Sequence, residues 1–202
     1  MGLRELKATR TRRQIVESAL DLFIDQGYDA TTMEQIAERA EVGSTTLYRY
    51  FPSKDLLILE PLARSMDLAA KLRERPAEEP LDLALGAVIH AALDGADDED
   101  GRIAEIRRII DAAPVPRARL WDVTDGFHRE LTRAIAERLD RPADDPLVTM
   151  TAHVTFAVFR IAAETWWDGD HSVASSAVVD GVLRGLSGVV PVIPAPSPRL
   201  AT

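Results

Sequence analysis

The sequence predicts an all-α protein, with a small N-terminal helix-turn-helix domain followed by a larger helical domain. Three observations support this fold class. Apolar residues recur at helical spacing in most segments, and no stretch alternates as a strand would. Pro, Gly and short polar residues separate these segments at positions where helices begin and end. Near the N-terminus, two short helical patterns are joined by a tight break.

The first element is a helix predicted from about Lys7 to Gln26, where Gly27 can end it. A second, short helix follows Thr31 or Thr32, either of which is a good N-cap. Its apolar face has the spacing i, i+3, i+4 and i+7, and consists of Met33, Ile36, Ala37 and Ala40. This face is expected to pack on the first helix.

The break after the second helix contains Gly43, which tolerates positive φ at little cost. A third helix is predicted from about Ser44 to Tyr50, with Leu47 and Phe51 as its inward anchors. Pro52 ends it, because the residue before a proline disfavours helical geometry. Two short helices with a tight turn and shared apolar anchors form a helix-turn-helix.

The outward face of the third helix has short or planar hydrogen-bonding side chains, without the Glu and Lys of an ordinary solvated helix. Such side chains can approach base edges closely, and Arg can bind guanine through two hydrogen bonds. The expected base contacts are Ser44, Thr45 and Arg49. The expected phosphate contacts are Thr32, Thr46, Tyr48 and Lys54, the last at a helix start where backbone N–H groups also favour an anion. The alternative is an ordinary pair of packed helices with a polar exterior.

Residues 10–58 resemble the N-terminal DNA-binding domain of the TetR family of bacterial transcriptional regulators. Glu41 and Gly43 depart from the family pattern, which commonly has Gly and Ser at these positions, and Thr45 replaces a frequent small residue. The matching residues are Ile15 to Phe23, Gly27, Thr31, Thr32, Ile36, Ala37, Ala40, Val42, Thr46 to Phe51, Ser53, Lys54 and Leu56. The resemblance implies a homodimer that binds double-stranded operator DNA, with a palindromic site, and a small-molecule effector cavity in the second domain.

Composition limits the other functions. The net charge is −9, which argues against general coating of nucleic acid, although residues 1–13 form a basic arm that either lies along a DNA groove or is solvated. There are no cysteines, and the N-terminus is charged and unlike a signal peptide, so a cytoplasmic location is expected. No phosphate-binding loop, nucleophile elbow or metal-ligand spacing is present, so we expect no enzyme, no cofactor and no metal site.

The helix-turn-helix domain is assigned to residues 1–53, a ligand-binding and dimerisation domain to 54–190, and a Pro-rich, disordered tail to 191–202. Ser53 caps a fourth helix expected to continue to Arg75, where it would join the domains. A Pro-rich break follows at 76–80, and an acidic loop is predicted at 94–101. The later helices are predicted at 81–93, 102–112, 114–139 and 146–168. A last helix is expected to begin after a Ser172 cap and to continue to about Val190.

The predicted helix 146–168 is apolar around most of its circumference, so it is expected to be buried on more than one side. His153, Arg160 and Glu164 share its polar edge, which is either a solvated or dimer-contact face or the wall of a cavity. By resemblance, the effector cavity lies among the middle helices. The candidate ligand-binding residues are Trp121, Phe127, His153, Phe156, Phe159, Arg160 and Trp166, although each aromatic residue alone fits a core position.

The last predicted helix carries Gly181 and Gly185, four residues apart, beside an apolar stripe. Each Gly in a helix interior costs about 1 kcal/mol relative to Ala, which suggests close approach of another helix. That helix belongs either to the same chain or to a second subunit, and the resemblance favours a homodimer through the last two helices. The resulting function is a repressor released by a small, largely apolar effector. The alternative is a dimeric DNA-binding regulator whose second domain binds a protein.

Overall fold

The computed structural model describes residues 2–94, 102–169 and 173–187. Within these ranges the chain is all-α, as the sequence predicts. The helices in chain order are α1 (Leu3–Gln26), α2 (Met33–Arg39), α3 (Ser44–Tyr50), α4 (Lys54–Met66), α5 (Leu68–Arg73), α6 (Leu81–Asp94), α7 (Arg102–Ala112), α8 (Pro114–Leu139), α9 (Pro146–Trp167) and α10 (Ser175–Leu186).

Helices α1, α2 and α3 form the N-terminal helix-turn-helix unit. Ile15 and Phe23 of α1 are buried, as are Ile36 of α2 and both anchors of α3, Leu47 and Phe51. These side chains share one hydrophobic core, so the orientation of α3 is set by apolar packing rather than by its outward residues. Burial of residues of this size contributes about 1.5–3 kcal/mol each.

The turn between α2 and α3 differs from the sequence-based expectation in the position of its left-handed residue. Glu41 has φ of 53°, whereas Gly43 has φ of −69° and serves as the extended N-cap of α3. The positive φ is therefore carried by a residue with a Cβ atom, at the position where the TetR pattern commonly has Gly. Gly43 is not needed for conformational freedom in this turn.

The fourth helix is shorter than predicted. α4 ends at Met66, and Asp67, with ψ of 64°, separates it from α5, although the sequence predicted one helix to Arg75. The Asp67 carboxylate accepts a hydrogen bond from the Ala70 N–H at 3.0 Å and so caps α5. At the N-terminus, α1 begins at Leu3, four residues before the predicted start.

The second domain is arranged around α8 and α9. α8 packs against α4, α5, α7 and α9, and α9 also packs against α6 and α10. α9 is long and apolar enough to cross a membrane by length and composition alone, but 44% of its apolar window is buried within this fold. The buried side of this helix includes Phe159, 2% exposed, and the fully buried Ala162. Met150, Val154 and Ile161 on its other side are exposed in the subunit, so the predicted burial on more than one side is not met by the subunit alone.

The Pro-containing helix starts are where the sequence predicted them. α8 begins at Pro114, and α9 begins at Pro146 after Asp145, whose carboxylate accepts from the Leu147 N–H at 2.8 Å. α10 begins at Ser175, after Ala174 as N-cap. The predicted Ser172 cap, residues 95–101 of the acidic loop, and the predicted helix end and tail beyond residue 187 lie outside the described residues.

Candidate DNA-binding and effector sites

The outward face of α3 is polar and exposed, and the buried inward side of the same helix fixes its orientation. Ser44, Thr45, Tyr48 and Arg49 are exposed, and Tyr48 remains 44% accessible despite its size. Leu47, between them in sequence, is fully buried. The residues predicted to contact bases therefore lie together on one accessible helix face, which no other part of the described chain covers.

Arg49 is the cation on this face, and α3 contains no acidic residue. Among the described residues it has no carboxylate within ion-pair distance, and its guanidinium carbon lies 5.5 Å from the centre of the Tyr50 ring. Arg39 on α2 differs, because it lies 3.3 Å from Asp21. Arg49 is thus available to an external acceptor, whereas Arg39 already has an intramolecular one.

Two threonines predicted to contact phosphates flank the helix starts. Thr32 is exposed and is the N-cap of α2, where its hydroxyl accepts from the Gln35 N–H at 3.2 Å and the Gln35 side chain accepts from the Thr32 N–H at 2.8 Å. Thr46 is half-buried in the first turn of α3. The Thr32 capping box therefore stabilises the start of α2, whether or not the hydroxyl also contacts DNA.

Lys54 makes intramolecular contacts that the sequence did not suggest. Its ammonium donates to the backbone carbonyls of Tyr28 at 2.8 Å and Thr31 at 3.1 Å, with the Asp29 carbonyl at 3.5 Å. It also lies 4.3 Å from the centre of the Tyr28 ring. Because an ammonium has three donors, these contacts use its hydrogen-bonding capacity. The geometry gives Lys54 a positioning role between α4 and the α1–α2 loop, and the phosphate contact predicted for it stays a prediction.

Tyr28, beneath Lys54, is part of the same junction. Burial, reinforced by the negative charges of Asp55 and Asp29, raises the pKa of Tyr28 to about 12. Asp55 in turn lies 3.7 Å from Arg119 on α8, so the junction continues from the helix-turn-helix into the second domain. Sequence reasoning missed this connection, because its members are far apart along the chain.

A second contact missed from the sequence joins α1 to α4. Arg12 donates two hydrogen bonds to the Glu60 carboxylate, at 2.8 and 3.0 Å, and its guanidinium carbon lies 4.5 Å from the centre of the Phe51 ring. Arg12, assigned to the basic arm, therefore has a structural role. Arg4, Lys7 and Arg10 of the arm are exposed on α1, which is helical from Leu3 onward.

Within the described part of the chain, the predicted effector residues are divided between the exterior and the core. Trp121 is 76% exposed on α8, and His153 and Arg160 are exposed on α9, where Arg160 pairs with Glu164 at 2.9 Å. The remaining candidates are wholly or partly buried against the core: Phe127, Phe156, Phe159 and Trp166. None of the seven predicted residues lines the apolar groove described below.

Part of this predicted set forms an aromatic cluster between α8 and α9. The rings of His128 and His153 are 4.1 Å apart between centroids, and Phe156 lies 5.9 Å from both His128 and Phe159. The Nε2 atom of His128 is buried without a hydrogen-bond partner among the described residues. Burial, with a smaller contribution from His153, lowers the pKa of His128, so the neutral ring is favoured.

An apolar groove of about 590 Å³ lies between α6, α9 and α10. Large side chains remain exposed along it, including Leu83 at 60%, Met150 at 52% and Val154 at 47%. The groove lies at the start of α6 and in the first half of α9, away from α3 along the chain. Its lining consists of Asp82, Leu83, Leu85, Gly86, Ile89, His90, Met150, Thr151, Val154, Thr155, Val158 and Leu183.

Exposed residues outside the groove also remain on α9 and α10. Ile161 of α9 is 42% exposed, and Gly181 and Gly185 of α10 are exposed as well. A Cβ atom built on either glycine meets nothing within 4 Å, so no helix of the same subunit approaches them among the described residues. An intramolecular contact therefore does not explain these two glycines.

Comparison with known proteins agrees with this architecture. Residues 15–60 match the family model of bacterial regulatory proteins of the tetR family, and residues 78–191 match that of the MftR C-terminal domain. The HTH-type transcriptional regulator TcmR of Streptomyces glaucescens is 36% identical over 175 residues, which cover 82% of this chain and 77% of TcmR. The HTH-type transcriptional repressor KstR of Rhodococcus jostii is 30% identical over 158 residues, 77% of this chain and 68% of KstR.

Solved structures show the same fold at lower sequence identity. A TetR-family transcriptional regulator from Syntrophomonas wolfei superimposes with a TM-score of 0.63 at 18% identity, over 92% of this chain and 99% of that one. The two family models together span most of both domains, and the curated relatives are transcriptional regulators, not enzymes. The chain is therefore a member of the TetR family of bacterial transcriptional regulators.

Proposed function

We propose that this protein is a homodimeric, cytoplasmic transcriptional repressor that binds a palindromic DNA operator and releases it when a small apolar effector binds. The observation that carries the proposal is the outward face of α3, where hydroxyl groups, Tyr48 and Arg49 are exposed without an acidic neighbour on the helix. Ser44, Thr45 and Arg49 are proposed to contact bases, and Thr32, Thr46 and Tyr48 to contact phosphates. The similarity to KstR, a transcriptional repressor, supports repression as the mode of regulation.

A dimer would present two copies of α3 to successive major grooves. Half-sites for such pairs lie roughly 34–36 Å apart, one turn of DNA. We propose that Ile161 of α9 and the two glycines of α10 belong to the dimer face, because all three are exposed and no described residue approaches a Cβ built on either glycine. The effector is proposed to lie in the groove between α6, α9 and α10, where exposed apolar side chains line a volume typical of ligand sites, about 300–1,000 Å³.

Release of the operator requires only that the effector binds one of two dimer conformations more tightly than the other. An effector that binds the conformation with unsuitable α3 spacing shifts the population towards it. The groove involves α6, α9 and α10, and α9 packs on α8, whose Arg119 lies 3.7 Å from Asp55 at the start of α4. This continuous packing gives the groove a physical connection to the helix-turn-helix.

DNA recognition is tested by selecting bound sequences from a random pool with the purified chain and then measuring affinities for the selected site. Arg49→Ala should relax sequence preference at one position and cost about 1–3 kcal/mol of discrimination, because a bidentate guanine contact is lost. Arg39→Ala is the matched control, since Arg39 is also exposed but pairs with Asp21. If no sequence is enriched at low ionic strength, the proposed function fails. If Arg49→Ala weakens all sequences equally, Arg49 contacts only the DNA backbone.

A further inference from the structure

We infer that the groove between α6, α9 and α10 selects an effector with an apolar body and a cationic amine head, and that it discriminates against anions. The inference rests on the proposed function for its biological role and extends it to the chemical class of the ligand. It is carried by the polar side chains that line the groove, whose available atoms are hydrogen-bond acceptors and the carboxylate of Asp82.

The titratable side chains among the described lining residues are Asp82 and His90, and neither Lys nor Arg lines the groove. Asp82 lies exposed in the first turn of α6, beside the exposed Leu83. His90 is paired, with its Nε2 atom 3.0 Å from a carboxylate oxygen of Asp180 on α10. Negative charge is therefore available to a ligand at Asp82, while the Asp180 carboxylate offsets any positive charge on His90.

The remaining polar groups of the groove are two threonine hydroxyls whose protons are already used. Thr151 donates to the Leu147 carbonyl at 2.7 Å, and Thr155 donates to the Thr151 carbonyl at 2.8 Å. Each hydroxyl oxygen can still accept a hydrogen bond but has no second proton to donate. When His90 donates from Nε2 to Asp180, its Nδ1 atom is likewise an acceptor.

A ligand in this groove therefore meets an apolar wall and acceptors. An ammonium supplies donors and a positive charge, and so matches Asp82 and the threonine oxygens. Among the described lining residues a carboxylate or phosphate head finds no Lys or Arg and no free hydroxyl proton, and the imidazole of His90 is already paired with Asp180, so the anion loses much of its hydration without replacement. The volume of about 590 Å³ accommodates an elongated chain of around ten carbons with room for a branched or cyclic body.

The test compares three probes of equal length, decylamine, 1-decanol and decanoate, below their micelle concentrations and without DNA, by titration calorimetry on the full chain. The amine should bind at least about tenfold more tightly than decanoate, with the alcohol between them, because one charge contact of about 1.4 kcal/mol changes affinity tenfold. Asp82→Asn should reduce amine affinity to that of the alcohol. Asp168→Asn, at the opposite end of α9, is the matched control and should leave the order unchanged.

Val154→Trp should fill the groove and abolish binding of all three probes, with the helical content and the dimer mass unchanged. Equal or tighter binding of decanoate would overturn the inferred ligand class. If the probes still bind the Val154→Trp protein, the groove is not the binding site. If none of the three probes binds the wild-type protein, the proposal for the groove is also overturned. A Val154→Trp protein that sediments as a monomer would show instead that a second subunit covers the groove. These results are independent of DNA selection, so failure here is distinguishable from failure of the DNA-binding proposal.

Discussion

At the scale of single residues, the structure separates side chains that hold the DNA-binding domain together from those left available to a partner. Lys54 and Arg12 are both basic residues of the helix-turn-helix region, and both are engaged within the protein, with backbone carbonyls and with Glu60 respectively. Arg49 has no such acidic partner among the described residues. The proposed DNA recognition therefore depends on Arg49 and its polar neighbours on α3, while Lys54 and Arg12, which are also basic, hold the domain together.

Lys54→Ala tests the positioning role directly. Loss of its hydrogen bonds to the carbonyls of Tyr28 and Thr31 should lower the free energy of unfolding by roughly 1–3 kcal/mol, as for hydrogen bonds to a charged group. Operator affinity should fall while its dependence on salt concentration stays the same, because no phosphate contact is removed. Urea denaturation and operator titrations at several salt concentrations measure the two effects. A salt slope smaller by about one unit would show that Lys54 also contacts a phosphate.

His128 should make stability depend on pH in the mildly acidic range. Because burial lowers its pKa in the folded state, the unfolded chain takes up a proton that the folded protein resists. Stability is thus fully present above the unfolded pKa of about 6.5 and decreases as pH falls below it. The contribution is limited to one proton, or at most about 1.4 kcal/mol per pH unit.

His128→Leu removes this proton uptake and provides the measurement. As the pH is lowered from 7.5 to 5.5, the melting temperature of the wild type should fall more steeply than that of the variant. The exposed His153 is present in both proteins, so the difference between them reports on His128. Identical slopes for the two proteins would mean that His128 titrates normally in the fold.

At the scale of elements, the sequence was most informative where a single residue type determines the backbone. Pro114, and Asp145 with Pro146, set the starts of α8 and α9, and the anchors Leu47 and Phe51 set the inward face of α3. The break at Asp67 was missed because the leucine-rich pattern of α4 suggested one continuous helix, although Asp67, whose carboxylate caps α5, is a local signal for a new helix start.

The two candidate sites also differ in how far the local sequence specifies them. The outward face of α3 follows from helical periodicity and local anchors, so its exposure could be predicted. The groove depends on the separation of α6 from α9 and on Leu183 of α10, which no local pattern encodes. The family resemblance placed a cavity around Phe156 and Phe159; in the structure both side chains are buried, with their ring centroids 5.9 Å apart, a packing that no local pattern specifies.

The α2–α3 turn offers a prediction at this scale, because Glu41 occupies the left-handed region. Glu41→Gly should raise the free energy of unfolding by about 0.5–1 kcal/mol: relief of the left-handed conformation gains roughly 1–2 kcal/mol, and the more flexible unfolded chain offsets part of it. Glu38→Gly, within α2, is the matched control and should instead lose about 1 kcal/mol. Chemical denaturation of both variants measures the difference. A destabilised Glu41→Gly protein would indicate that the Glu41 side chain stabilises the turn.

At the scale of the whole molecule, two properties depend on surfaces that one subunit leaves open. The face containing Gly181 and Gly185 is accessible in the subunit, and the groove beside Leu83 includes Met150 and Val154, on the same side of α9 as Ile161. Both surfaces are distinct from the α3 face of the other domain. A change on either can therefore be measured without altering the α3 face itself, provided that the fold of the subunit is retained.

Gly181→Leu should separate assembly from folding. The subunit accepts the larger side chain, because a Cβ at this position meets nothing within 4 Å, and replacing a helical Gly by Leu also raises helix propensity. In the proposed dimer the same side chain would stand between two closely packed helices. We expect a folded monomer by sedimentation and circular dichroism, with operator affinity reduced about 100-fold or more, because two linked half-site contacts become independent.

The control for this variant is Gly126→Leu on α8. A Cβ at Gly126 also meets nothing within 4 Å, but this position lies outside the proposed dimer face. It should remain dimeric and bind the operator normally. If Gly181→Leu also stays dimeric with full operator affinity, the subunits meet through another surface. The glycines of α10 would then need a different explanation, since no part of the described subunit approaches them.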